Sequence, residues 1–324
     1  MKTVKTVKTE MELDRISSLS NDVTENICLV CRLGRCFLKP PSQFRGFRNL
    51  KTLRLVSVTV AQDVLDNLIG GCPLLERLIV RACDGITNLK VEAPNLQFLN
   101  VWGAFDVLKL KNALNITEAL IGMTIPEEQI EVPGSWVPTR RTSNLCNIFD
   151  HLSHIRKLTI TARFLEYLSL GASPEKLPEP FQYLKVIQIN ICFHDTDAIT
   201  TALYLLRSSP ALQELEIWVS SRKKLKRVGQ VKSCLRDNYN FTFSQLRLVK
   251  INDISNLCAV KAVLDFIRVL LLSSPVLERM HVQPCGPILV FDFARLATEL
   301  LQFKRDSKRA EIILVNPFSH AFSR

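Results

Sequence analysis

The chain has 324 residues, 47 % of them hydrophobic and 23 % charged, with a formal net charge of +11. These values sit near the soluble-globular average and exclude collagen-like, low-complexity and disordered classes. Only 11 residues are glycine, about half the usual frequency of roughly 7 %, which counts against hairpin-rich barrels and glycine-lined nucleotide sites.

From the N-terminus, MKTVKTVKTEMELDR has lysines but neither an apolar core nor a small-residue cleavage site, so it does not read as a secretory signal. An intracellular, reducing setting, cytoplasm or nucleus, is expected, and the ten cysteines are read there as thiols. Cys28, Cys31 and Cys36 form a C-x-x-C with a straggler and lack the second close pair that a structural zinc needs. They are assigned to a weakly ordered segment spanning residues 1–43.

The spacing L-x-x-L-x-L then recurs. Three copies carry a terminal cysteine: Leu75, Leu78, Val80, Cys83; Leu184, Ile187, Ile189, Cys192; and Leu277, Met280, Val282, Cys285. This is the leucine-rich-repeat core, in which alternating apolar residues of a short strand point inward and the last residue is buried where the chain leaves the strand. All three cysteines are therefore expected to be buried structural thiols. The template also fits from Leu50, Ile86, Leu96, Phe105, Ile155, Leu165, Leu212 and Leu246, and more weakly near Ile116.

Between Leu75 and Phe105 the rungs recur every nine to eleven residues, too short for a returning helix. Strands with tight non-helical returns are expected there. Elsewhere helical periodicity precedes the strand, at Val60, Val64, Leu65 and Leu68; at Ile199, Leu203 and Leu206; and at Val260, Val263, Leu264, Ile267 and Leu271. That last stretch, Ala259 to Leu272, is the most apolar, but Lys261, Asp265 and Arg268 interrupt it, so no membrane helix is expected. Residues 124–147, with Pro126, Pro133 and Pro138, read as a long loop; Cys146, His151 and His154 beyond it again fall short of a zinc ligand set. Between Ser220 and Arg236 lie seven basic residues and no acid, so without them the net charge is +4. With no aromatic before Tyr239 to stack bases, this stretch, within an insertion at 220–240, reads as solvated, then as a site for an acidic partner, and last as a nucleic-acid site.

The fold class that follows is α/β, a leucine-rich-repeat solenoid with parallel strands on the concave face and helices or irregular returns on the convex face, repeats filling residues 44–243. From FRGFRNLKTLRL (Phe44 to Leu55) through LIGGCPLLERLIVRACDGITNLKVEAPNLQFLNV, the chain resembles the plant F-box proteins that carry leucine-rich repeats and a C-terminal FBD domain. FSQLRLVKINDISNLCAVKAVLDFIRVLLLSSPVLERMHV and ELLQFKRDSKRAEIILVNP resemble the FBD module, placed at 244–318 as a continuation of the array. The resemblance implies a non-catalytic substrate-recognition subunit of an SCF-type ubiquitin ligase, with the F-box on a Skp-type adaptor and the repeats holding a target protein. LDRISSLSNDVTENI resembles the opening helix of an F-box, with Leu13, Ile16, Leu19, Val23 and Ile27 as its apolar positions. Only 16 residues separate Ile27 from Phe44, too few for the remaining helices, so weakened adaptor binding is expected, or a ligase-independent scaffold that competes with full-length relatives.

No G-x-S-x-G, G-x-x-x-x-G-K or H-E-x-x-H motif is present, and neither catalysis nor a cofactor is assigned. Binding is assigned to the concave face. The residue between the last two core positions of each rung faces outward, which gives Arg54, Ile79, Lys90, Asn100, Lys109, Thr159, Ser169, Gln188, Glu216, Lys250 and His281, with Trp102 and Trp218 two residues further along. Aromatics so placed are frequent binding anchors.

Overall fold

A computed structural model describes residues 29–40, 44, 46–105, 107–124, 149, 151–171, 180–220, 241–254, 257–285 and 290–315. It divides into two compact units, residues 1–155 and 156–324. All but Thr124 of the loop at 124–147, nearly all of the basic insertion at 220–240, and the F-box positions Leu13, Ile16, Leu19, Val23 and Ile27 lie outside the described residues.

In the first unit, β1 (Val30–Gly34), β3 (Thr52–Val56), β5 (Arg77–Arg81), β7 (Phe98–Gly103) and β9 (Glu118–Met123) form a parallel sheet in that order. The intervening strands pair separately: β2 (Phe37–Leu38) with β4 (Thr59–Val60), and β6 (Asn88–Glu92) with β8 (Val107–Lys111). One helix, α1 (Gln62–Gly70), precedes β5. The closely spaced rungs are thus two strands per coil, one in each sheet. Leu89, Val91, Leu108 and Leu110 of the second sheet are as buried as Leu78, Val80, Leu99 and Val101 of the first. A shared core lies between them.

In the second unit, β10 (Lys157–Ile160), β11 (Val186–Ile191), β12 (Glu214–Val219), β13 (Leu248–Ile254), β14 (Arg279–Pro284) and β15 (Glu311–Leu314) are parallel neighbours. Helices α2 (Ala162–Gly171), α3 (Thr196–Arg207), α4 (Leu257–Leu272) and α5 (Val290–Leu301) fill the returns. Asp195 caps α3 by accepting from the backbone N–H of Asp197 and Ala198 at 3.1 and 3.3 Å.

Two local devices recur along the rungs. The first leucine donates its N–H to the carbonyl three residues back, as in Leu75 to Cys72, Leu96 to Ala93, Leu212 to Ser209 and Leu277 to Ser274. Proline follows the accepting residue in all four, the position where its fixed φ suits a type I turn. The next two N–H groups then converge on one carbonyl of the preceding rung: Gln97 and Phe98 on Glu76, Arg247 and Leu248 on Gln213, Glu278 and Arg279 on Arg247. This locks strand register.

The second device ends the strand. Arg35, Ser57 and Ala82 have φ of 52°, 54° and 48°, a left-handed conformation that costs a non-glycine residue about 1–2 kcal/mol. Each donates its N–H to the neighbouring strand, to Val56, Arg81 and Trp102 respectively, and the turn drives the following residue inward. Val58 and Cys83 are buried there, and Cys36 is half-buried.

Cys83 and Cys192 are buried as the repeat requires, but Cys285 is exposed. Pro284, whose ring fixes φ negative, stands where Ala82 precedes Cys83. Alternation continues through buried Met280, Val282 and Pro284, so Cys285 points outward. Burial also raises the Cys83 thiol pKa, only partly offset by hydrogen bonds to backbone at Val58 and Arg81. Site-resolved labelling with iodoacetamide under native conditions should modify Cys285 at least about tenfold faster than Cys83 or Cys192; equal rates would contradict this placement.

Three further assignments change. Leu165 does not begin a strand: it lies in α2, where Phe164, Leu165, Tyr167 and Leu168 are buried at helical spacing. Val60 belongs to β4, ahead of α1. The array also includes β1, within the segment read as weakly ordered. Cys31 and Leu33 stand in register with Leu53 and Leu55, so C-x-x-C-x-L-x-x-C from Cys28 to Cys36 is itself the repeat pattern, with cysteines at two of its leucine positions and at its terminal cysteine position.

Candidate functional site

The outward face of the first unit's sheet carries three rows. The central row runs Arg32, Arg54, Ile79, Asn100, Leu120. Two residues later lie Gly34, Val56, Arg81, Trp102 and Gly122; two residues earlier lie Val30, Thr52, Arg77, Phe98 and Glu118. Arg32, Arg54 and Arg77 are exposed, and Trp102 keeps 38 % of its surface in solvent. The Arg77 guanidinium sits 3.9 Å from the centroid of Phe98, and that of Arg81 lies 4.7 Å from Trp102. Both are cation–π contacts that hold arginine heads in place without cancelling their charge.

The sequence reading placed Lys90 and Lys109 on this face. They instead occupy matching positions on β6 and β8, exposed on the outer side of the second sheet. Ser169 is on helix α2 and on no strand face. Arg32, Arg77, Arg81 and Phe98 were missed. For the last three the signal was present, because strand alternation sends residues two before and two after the central position to the same side.

On the second unit, Thr159, Gln188, Glu216, Lys250 and His281 form one row as expected, extended by Ile313. Much of it is internally satisfied. Thr159 Oγ1 donates to Gln188 Oε1 at 3.0 Å, Gln188 Nε2 donates to Glu216 Oε2 at 2.7 Å, and Asn252 Nδ2 donates to Glu216 Oε1 at 3.1 Å. Trp218, 42 % exposed, stands between Asn190 and Asn252. Burial, then Lys250 and Arg279, push the His281 imidazole below its usual pKa, so at neutral pH it adds no further positive charge to the row.

Among the described residues no group of three or more His, Cys, Asp or Glu is placed to hold a metal ion, and no helix is long and apolar enough to cross a membrane. Cys28 and Cys146 lie outside those residues.

Stacked parallel rungs of L-x-x-L-x-L pattern define a leucine-rich-repeat protein, an architecture that presents an extended sheet face for binding. The profile described as "At1g61320/AtMIF1, LRR domain" matches residues 4–288. Three relatives from Arabidopsis thaliana are similar in sequence. The F-box/FBD/LRR-repeat protein At1g13570 is 32 % identical over 292 residues, covering 89 % of this chain and 67 % of the relative. The FBD-associated F-box proteins At5g56390 and At1g32375 are 27 % and 24 % identical over 53 % and 64 % of this chain. The chain belongs to the plant F-box/FBD/leucine-rich-repeat family. It spans 42 % and 52 % of the length of the latter two relatives. No solved structure matches it significantly.

Proposed function

We propose that the chain is a target-holding repeat module of the kind used by substrate-recognition subunits of SCF-type ubiquitin ligases, with weakened docking to a Skp-type adaptor. Family membership and two open sheet faces support the first half. The observation that carries the second half is β1: residues 30–34 pair with β3 in full register, and a segment hydrogen-bonded into a repeat sheet cannot also form a later F-box helix. The spacing between the opening-helix pattern, Leu13 to Ile27, and β1 leaves no length for a further helix. A module that holds a target but recruits no ligase competes with complete relatives for that target.

The test is a pull-down of a purified Skp-type adaptor, with a complete F-box relative as control. Retention by this chain is expected to fall roughly tenfold or more below the control, because most of the anchoring residues of that interface are missing. Equal retention would overturn the weakened-docking reading and restore a full ligase-receptor role.

A further inference from the structure

We propose that the outward face of β1, β3, β5 and β7 is the docking surface for an acidic peptide segment of a partner protein, one that also carries an apolar side chain. The inference deepens the target-holding reading and rests on it. Four arginines, Arg32, Arg54, Arg77 and Arg81, lie on three adjacent strands. Arg32 and Arg54 are direct register partners, about 4.8 Å apart at the backbone, and like charges placed so are destabilising. Neither side chain has a hydrogen bond or ion pair among the described residues, and the side chains of Arg77 and Arg81 have only the ring contacts. Three other cations on the strands and their approaches are neutralised: Lys51 by Glu76 at 2.6 Å, Lys111 by Glu92 at 3.2 Å, Arg247 by Glu278 at 2.7 Å. Four arginines crowd this one face, and an incoming run of carboxylates would relieve their mutual repulsion.

The arrangement also selects the kind of anion. Arg77 and Arg81 are four residues apart on one strand, about 13 Å, with Arg32 and Arg54 ranged alongside, so the charges are spread along a surface and do not converge on a single small ion. Ile79, Val56, Leu120 and the exposed Trp102 lie among and beyond them. These give an apolar side chain of a peptide a place to bury. Single-stranded nucleic acid fits less well, because one face of each aromatic ring is already covered by an arginine.

The experiment is fluorescence anisotropy on the full chain. The probe is a fluorescein-labelled peptide of Glu and Ser with one central Leu; its Gln-for-Glu counterpart and an oligothymidylate serve as comparisons. The acidic peptide should bind, weaken as salt rises, and lose roughly tenfold or more in affinity in Arg54→Glu/Arg77→Glu. The milder Arg54→Gln/Arg77→Gln should lose several-fold, and keeps the test decisive if the charge reversal disturbs folding. Arg295→Glu, on helix α5 and away from both sheet faces, should change nothing. Equal binding of the Gln peptide, tighter binding of the oligothymidylate, indifference to both arginine pairs, or an equal loss in Arg295→Glu would each overturn the proposal. Adaptor pull-down on the same variants is a separate readout, so failure here leaves the family role standing and failure there leaves this surface standing.

Discussion

Phe266→Ala should cost about 3–5 kcal/mol of stability, the range for removing a fully buried aromatic ring. Phe266 is completely buried in α4 and meets Phe193 edge to face, with ring centroids 5.5 Å apart. That geometry adds about 0.5–1.5 kcal/mol beyond area burial. The helix leaves no room for relaxation: in LCAVKAVLDFIRVLLL only Lys261, Asp265 and Arg268 form a polar stripe, and Val263, Ile267 and Leu270 around the ring are buried too. A typical domain has only about 5–15 kcal/mol in total, so the second unit should unfold at much lower denaturant. Leu301→Ala is the control. Leu301 is 71 % exposed, and its loss should stay within about 0.5 kcal/mol. Similar urea midpoints for the two variants would show that the α4 core is not packed as described.

The repeat was legible because its signal is physical. Inward residues at spacings of three and two must be apolar, and ten of the strongest rung assignments became strands with those residues buried, as did the weaker one at Ile116. The misses have physical causes. At Leu165 the template's spacing of three is also a helical spacing, and Phe164 and Tyr167, buried in helical phase, decide for α2. At β1 cysteines stand in for leucines, and a C-x-x-C draws attention to metal ligation before packing. At Lys90 and Lys109 the alternation was right but the layer was wrong. Both sheets of the first unit alternate alike, and only rung spacing separates them: nine to eleven residues is half a coil. The candidate face suffered most from the β1 error, since Arg32 doubles the charge at the Arg54 position.

Gly85→Ala should cost on the order of 3 kcal/mol, because two independent obstacles coincide there. Gly85 has φ of +83°, and a β-carbon at that position would lie 2.5 Å from the carbonyl oxygen of Val60. The backbone conformation alone costs a non-glycine residue about 1–3 kcal/mol. The contact adds to this because its partner is fixed backbone: Val60 donates its N–H to Asp84 at 3.0 Å, Asp84 donates to Val58 at 3.0 Å, and Thr59 bridges Asp84. Relief would require the β4 segment to move away from the β5–β6 connection. That connection hangs from β5, which carries Arg77 and Arg81, so affinity at the arginine face should fall along with stability. Gly70→Ala is the opposite case. It closes α1, its added methyl would meet nothing within 4 Å, and it should be neutral or stabilise by up to about 1 kcal/mol by reducing unfolded-state freedom. Urea unfolding of both variants should move the midpoints in opposite directions or leave only Gly85→Ala lowered. A Gly85→Ala protein as stable as Gly70→Ala would mean that Val60 and Gly85 do not approach as closely as described.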